Sequence, residues 1–482
     1  MQKTHPQSEI VAITDETIRL KRSSLGPALL SDLTDELIRD NPNHAQMVRM
    51  AAASPQKYAH AKMPPRTIQS IFEDGDTVFI PRGCRALLIE LATKYGRTIK
   101  WHDERIFKDR DPGMMLKPDV ELIAYQKSNL MNITFNEEGV VWMPCGSGKT
   151  VTGVAVVMTL AQPTIIFVHS TDLMDGWLRE LASKAIVPGG VGQWGGGVKK
   201  RGYVTVAMIQ TLARMPREEL RKLLDGFSCA ILDECHHCPA NTFLNVMNMC
   251  KARYRYGFTA TKERKDGMHF LMHDTIGPVI AHVTQDELEA AGRSQPVEVV
   301  NVMTTFASEY TAHEWTELLQ QMTNDQDRND LIIQNILDSW NAGHFPLVLS
   351  DRVPHCRELA RRLETNGMTV GLLIGAVPRP IRTEMVKRAR GNLIDAIVAT
   401  SVADEGLDIP ALSCVHLTTP SSNEGKLEQR IGRIRRPVDG KPTSVVYDYV
   451  DVMHKSCDNK SKARRRFYRR WGFTSRTIYI GK

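Results

Sequence analysis

The string Met143-Pro144-Cys145-Gly146-Ser147-Gly148-Lys149-Thr150 closes an apolar run at 140–143 and leads into a helical stretch. A strand that ends in a glycine-rich turn and enters a helix is an anion site, because the turn N–H groups and the helix N-terminus face the bound charge. Gly146 and Gly148 permit close approach, Lys149 would reach the β and γ phosphates, and Thr150 would place its hydroxyl on Mg2+. The expectation is an ATP site built from Pro144, Cys145, Gly146, Ser147, Gly148, Lys149 and Thr150. The full G-x-x-x-x-G-K-T pattern asks for glycine where this chain has Met143. Such a turn constrains the whole fold, since ligands bind outside the carboxyl ends of strands in open α/β sheets.

The rest of the chain follows that pattern. Strands are expected at 164–169, 204–209, 229–232 and 256–259, separated by helical stretches. The pattern recurs after Ser294-Gln295-Pro296, with strands at 347–350, 370–374, 396–400, 414–418 and 445–449. Alternation of this kind predicts parallel sheets covered by helices. Residues 310–340 read as helical, early in the second lobe or as a small insertion. The 1–115 segment has no phosphate-binding motif and reads as a small α+β accessory domain. It is expected to hold helices at 29–39 and 45–53 parted by Pro42, a hairpin over 67–72 and 77–81, and a helix over 84–95 closed by Gly96. The domains are therefore 1–115, 116–293, 294–454 and a basic tail at 455–482, against a prior of roughly 150 residues per domain.

Two further strings supply chemistry. The run at 229–232 delivers Asp233 and Glu234 at its carboxyl end, where Asp233 suits Mg2+ and Glu234 suits polarising an attacking water. Near the other end, Gln429-Arg430-Ile431-Gly432-Arg433-Ile434-Arg435-Arg436 offers Gln429, Arg433 and Arg436 as groups for the transferring phosphoryl charge.

In order along the chain, these strings resemble a superfamily 2 helicase of the DExH type over about 122–451. The resemblance makes the expected fold class α/β, with two tandem RecA-like parallel-sheet lobes and a small N-terminal α+β accessory domain. It implies that Gln126, after Tyr125, contacts adenine. His236 completes the DExH box and, with Thr259 and Thr261 of Gly257-Phe258-Thr259-Ala260-Thr261, couples the nucleotide to lobe movement. Gln210 and Thr211 would contact a nucleic-acid strand, as would Thr400, which opens the string 400–408 (TSVADEGLD). Gly406 and Asp408 of that string would approach the nucleotide. Asp233-Glu234-Cys235-His236-His237 and the basic residues after Thr261 are most similar to the XPB-like and UvsW-like group, the latter being phage recombination helicases that remodel branched DNA. Lys262 stands where relatives often have proline. The implied activity is ATP-dependent DNA unwinding or branch migration on forked or branched DNA in replication, recombination or repair. The implied travel is 3′ to 5′, with the accessory domain gripping duplex beside the branch.

Composition narrows the remaining choices. Net charge is +7, and residues 455–482 carry ten basic and one acidic residue, a net of +9, which leaves −2 for the rest (7 − 9). A basic end on a near-neutral body points to polyanion contact. Phe467, Tyr468 and Trp471 interleave with Arg464, Arg465, Arg466, Arg469 and Arg470, so Arg465 and Arg469 are candidate nucleic-acid contacts; the aromatics could equally dock a terminal helix on the body. Nine scattered cysteines fit a reducing compartment. No apolar run approaches the roughly 18 residues of a membrane span, and the N-terminus lacks a secretory layout. The expected location is cytoplasmic, host cytoplasm if the chain is phage-encoded, with no membrane partner. The alternatives are an RNA helicase and a non-hydrolysing nucleic-acid clamp.

Overall fold

The computed structural model describes residues 9–53, 55–237, 241–260, 267–400 and 409–479. The chain forms two compact units, Met1–Met143 with Gly148–Val283, and Thr284–Lys482 with Pro144–Ser147. No helix among the described residues is long and apolar enough to cross a membrane, and the eight described cysteines are free thiols.

The first unit holds two large sheets and two small two-stranded ones. The accessory sheet runs Phe72–Asp74, Thr77–Pro81, Thr17–Lys21, Ile10–Thr14, Ile99–Asp103. Burial alternates along its strands, with Ile10, Ala12, Ile18, Leu20, Val78 and Ile80 facing inward, as period-two side chains on a half-covered sheet must. Leu29, Leu33 and Leu37 of Pro27–Leu37 and Leu88, Leu91 and Ala92 of Arg85–Lys94 close that face. Three local expectations shift. The hairpin begins at Phe72, and Thr67–Gln69 instead pairs with Ile38–Asp40. Pro42 opens the helix Pro42–Ala53 rather than separating two helices, since proline costs nothing at a first helical position. The helix expected to reach residue 39 ends at Leu37, where the backbone turns extended.

The larger sheet of this unit has the order Val198–Lys200, Val191–Gly195, Val204–Met208, Thr164–Val168, Cys229–Asp233, Tyr254–Thr259, Glu138–Trp142, Val279–His282. All neighbours are parallel except the Val191–Gly195 and Val198–Lys200 hairpin. The central strands Thr164–Val168 and Cys229–Asp233 are buried throughout, which is why they read as unbroken apolar runs. The accessory sheet is tied to this one by Arg82, a fully buried side chain. It donates to Ala252 O at 2.7 Å, Arg253 O at 2.8 Å and Glu138 Oε2 at 3.0 Å. Arg39 adds an ion pair to Asp274 at 2.6 Å.

The second unit is a seven-stranded, wholly parallel sheet in the order Val370–Leu373, Ala396–Ala399, Pro346–Leu349, Cys414–Leu417, Ser444–Val450, Val297–Met303, Thr474–Ile478. The helical 310–340 region is two helices, Trp315–Asn324 and Gln326–Asn341, parted at Asp325, whose side chain caps the second. The expected basic tail is not a tail. Lys455–Arg470 is a helix, and Thr474–Ile478 is an edge strand of this sheet. Arg464 is buried and bidentate on Asp448, with contacts of 2.6 to 3.0 Å, and Tyr468 donates to the same carboxylate at 3.0 Å.

Arg82→Ala leaves Glu138 and two carbonyls without their donor. The expected outcome is a loss of about 3 kcal/mol in the first unit, read as a lower urea midpoint by circular dichroism. An unchanged midpoint would show that this arginine does not hold the accessory sheet.

Candidate functional site

The strand Glu138–Trp142 runs into Met143, which is fully buried and donates its N–H to Thr259 O at 2.9 Å. The methionine that departs from the glycine pattern is thus a core filler at a strand end. The turn is closed by Ser147, whose hydroxyl donates to Pro144 O at 2.6 Å. Gly146 and Gly148 have φ of 87° and 79°, a left-handed conformation that costs a side chain more than it costs glycine. Lys149–Leu160 follows, anchored by buried Val154 to Met158, so its unsatisfied first-turn N–H groups stay at the sheet edge. Thr150 is half-buried in that first turn. Gln126 is buried and accepts from Ile123 N at 3.2 Å, and a Cβ on Gly148 would stand 2.5 Å from its Nε2. The amide expected to contact adenine therefore lies against Gly148.

Asp233 and Glu234 leave the same sheet at the carboxyl end of Cys229–Asp233. Lys149 Nζ lies 2.6 Å from Glu234 Oε1, and His236 Nδ1 lies 3.4 Å from Glu234 Oε2 and 3.1 Å from Thr259 Oγ1. The Lys149, Glu234, His236 and Thr259 series joins three elements at one edge. Glu234 has φ of 49°, a left-handed conformation uncommon outside glycine that persists only where the surroundings hold it. Burial pushes the Asp233 carboxyl up, and the Glu234 charge adds to it, against Lys149 and the bond from Trp177. Burial acts on Glu234 in the same sense, but Lys149 and His236 outweigh it and hold that carboxyl well below its usual range.

Sequence reasoning missed Trp177. It lies on Thr171–Lys184, fully buried, and its indole N–H donates to Asp233 Oδ2 at 2.8 Å. Glu234 N donates to the other carboxylate oxygen at 3.0 Å. Trp177 packs against Gly153 of the phosphate helix, where a Cβ would collide with the indole ring. The signal available was a small residue in an otherwise apolar helix, and nothing in the local sequence says which ring fills the gap. Asp233 and Thr150 fit Mg2+, which takes one or two protein ligands and completes its shell with phosphate and water. Cys235 is buried with its sulfur 3.4 Å from Met272 Sδ, so it faces the core rather than a metal. No group of three or more metal-ligating side chains occurs among the described residues.

Gln210 and Thr211 form part of the short helix Ile209–Leu212, and Gln210 donates to His169 O at 2.9 Å, beside the ends of two parallel strands. In the second unit Thr400 directly follows Ala396–Ala399. Gly406, Asp408 and Thr261 lie outside the described residues. On the helix Glu424–Ile434, Leu427, Ile431 and Ile434 face the core, whereas Gln429 and Arg433 are less buried. Arg435 pairs with Glu289 at 2.7 Å and donates to Gln295 O at 3.1 Å; Arg436 beside it is half-buried. Arg465 is half-buried and Arg469 exposed, unlike Arg464.

Comparison with known proteins follows the same division. A family described as "Type III restriction enzyme, res subunit" matches residues 119–264, and the "Helicase conserved C-terminal domain" matches residues 327–438. "Probable helicase D10" of Escherichia phage T5 is 27% identical over 312 residues, 63% of this chain and 66% of that protein. "DNA 3'-5' helicase XPB" of Mycobacterium tuberculosis is 25% identical over 480 residues, 96% of this chain and 85% of that one. The chain thus spans just under two thirds of the phage relative's length. The solved structure of S. cerevisiae Dbp5 bound to RNA and ADP BeF3 shares the fold, with a TM-score of 0.54 and 15% identity over 74% of this chain and 90% of that one.

Trp177→Phe keeps an aromatic ring, smaller than the indole, and removes the donor to Asp233. The Mg2+ concentration giving half-maximal ATP turnover is expected to rise about 10-fold, measured by phosphate release across a Mg2+ series. An unmoved midpoint would deny Trp177 its positioning role.

Proposed function

We propose, on the premise that this chain belongs to the superfamily 2 helicases and is of the XPB-like type, that it is an ATP-driven DNA helicase and translocase that unwinds or branch-migrates forked or branched DNA in replication, recombination or repair. The observation that carries the reading is the linked polar series Lys149, Glu234, His236 and Thr259 beside Asp233. Its members come from three elements, and no packing need explains placing them together at a strand edge.

Phosphate binding at the turn competes with Glu234 for Lys149. When Lys149 moves to the β and γ phosphates, Glu234 loses the charge that depresses its pKa and becomes a better proton acceptor for the attacking water. Mg2+, held by Thr150 and Asp233, would neutralise phosphate charge. Gln126 orients the adenine. Gln429, Arg433 and Arg436 supply polar and positive groups to the transferring phosphoryl group, and Gly406 and Asp408 approach the nucleotide. His236 passes the loss of the γ-phosphate to Thr259 and Thr261, so the two nucleotide states favour different conformations. A DNA strand held through its phosphates by Gln210, Thr211 and Thr400 is moved by that cycle, and the accessory domain grips duplex at the branch.

Lys149→Ala is expected to lower ATP turnover about 100-fold or more while oligonucleotide binding stays measurable by anisotropy; full turnover would overturn the site. Arg436→Ala is expected to slow hydrolysis about 1000-fold with little change in ATP affinity by calorimetry, and normal turnover would reject its role. Unwinding compared on forks, three-way junctions, four-way junctions and tailed duplexes tests the branched substrate. Stimulation by RNA above DNA would favour an RNA helicase, and DNA binding without turnover would favour a clamp.

A further inference from the structure

The helix Lys455–Arg470 buries Cys457, Ser461, Arg464, Phe467 and Tyr468 against the second unit. The neighbouring stripe of Lys462, Arg465, Arg466 and Arg469 stays outside and lines a pocket of about 590 Å³. Asp458 offsets part of this charge, at 2.6 Å from Lys462 and 3.5 Å from Arg465. From Lys462 to Arg469 the stripe is about 10 Å long at about 1.5 Å rise per residue, long enough to meet more than one backbone phosphate.

Asn301 of the strand Val297–Met303 also lines this pocket and is 5% exposed. Its Nδ2 donates to Arg476 O at 3.2 Å, but its buried Oδ1 has no hydrogen-bond partner. A buried acceptor left unpaired costs about 1–3 kcal/mol, so a ligand that brings a donor there is favoured. The pocket thus combines phosphate-seeking charge along its rim with one acceptor for an N–H group at its lining.

We infer that this groove is a second foothold for a single nucleic-acid strand, with phosphates on Lys462, Arg465, Arg466 and Arg469 and a base N–H donated to Asn301 Oδ1. The inference rests on the reading that the chain works on nucleic acid, and it adds a site outside every motor motif. An unpaired strand fits better than duplex, because Watson–Crick pairing already engages the base N–H groups and only a splayed base presents them. The four basic residues bind backbone of any sequence, while Asn301 distinguishes a base from its absence.

The test is anisotropy of the full chain with a labelled oligothymidylate, the matching abasic strand and a blunt duplex, without nucleoside triphosphate. A failure of the motor reading therefore leaves the result untouched. Arg465→Ala with Arg469→Ala is expected to weaken strand binding at least 10-fold and lower the salt slope by about 1.4, at about 0.7 per phosphate. Unchanged affinity and slope would overturn the groove. Asn301→Ala should weaken oligothymidylate about 5-fold and leave the abasic strand unaffected; equal effects on both would overturn the base contact. A larger loss for duplex than for single strand in the arginine pair variant would overturn the strand assignment, as would thymidine monophosphate binding as tightly as the strand. Circular dichroism melts matching the parent confirm that the variants are folded.

Discussion

A lysine and a glutamate, 2.6 Å apart and each less than one-sixth exposed, hold the start of the helix Lys149–Leu160 to the end of the strand Cys229–Asp233. Removing either partner of so buried a pair leaves an uncompensated charge, a loss of about 3–5 kcal/mol. The pair therefore draws together two elements 85 residues apart in sequence. It also accounts for the backbone of Glu234, whose φ of 49° is held against its intrinsic cost. Asp233 beside it is squeezed between burial and a neighbouring negative charge. A divalent cation would relieve that situation, which supports the role proposed for this carboxylate in holding Mg2+.

The same pair connects the site to a third strand. His236 stands between Glu234 and Thr259, and Thr259 belongs to the strand whose end also receives the Trp142 indole N–H at Ala260 O, 2.7 Å away. In the proposed cycle, exchange of Lys149 from carboxylate to phosphate would change the charge that His236 meets. A hydrogen bond to a buried threonine responds to such a change in a discrete way, because the packed strands on either side do not deform continuously.

Most of the two parallel-sheet units, and the strand ends that carry the candidate site, were legible in the sequence because their signals are local. The phosphate turn and the acidic pair are each a strand end followed by a fixed few residues, and central strands buried on both faces write themselves as apolar runs. What escaped depends on contacts between distant segments. Trp177 reaches Asp233 across 56 residues, and Arg82 reaches Ala252 across 170. The strand Thr474–Ile478 is mostly exposed and polar, so it carries no apolar pattern, and it is a strand because Val297–Met303 offers it an edge. Accessory-domain boundaries slipped for a related reason. Pro42 is equally at home before a helix and at its first position, and only the pairing of Ile38–Asp40 with Thr67–Gln69 decides.

Charge was the hardest feature to read, since sequence counts every arginine alike. Arg82, Arg255, Arg328, Arg430, Arg435 and Arg464 are each less than 5% exposed. Arg464 belongs to Asp448, Arg328 to Asp451 and Arg435 to Glu289. These are internal struts, and their charge is matched within the fold, so they add nothing to the outer field. Within one stretch of helix the two classes alternate: Arg464 is consumed by Asp448, while Arg465, Arg466 and Arg469 lie on the pocket side. Burial also separates Arg435, which pairs with Glu289 and donates to Gln295 O, from the less buried Arg433 and Arg436. A basic run therefore points to a polyanion only after the buried arginines that act as struts are set aside, and on the C-terminal helix that leaves the stripe lining the pocket, its charge offset in part by Asp458.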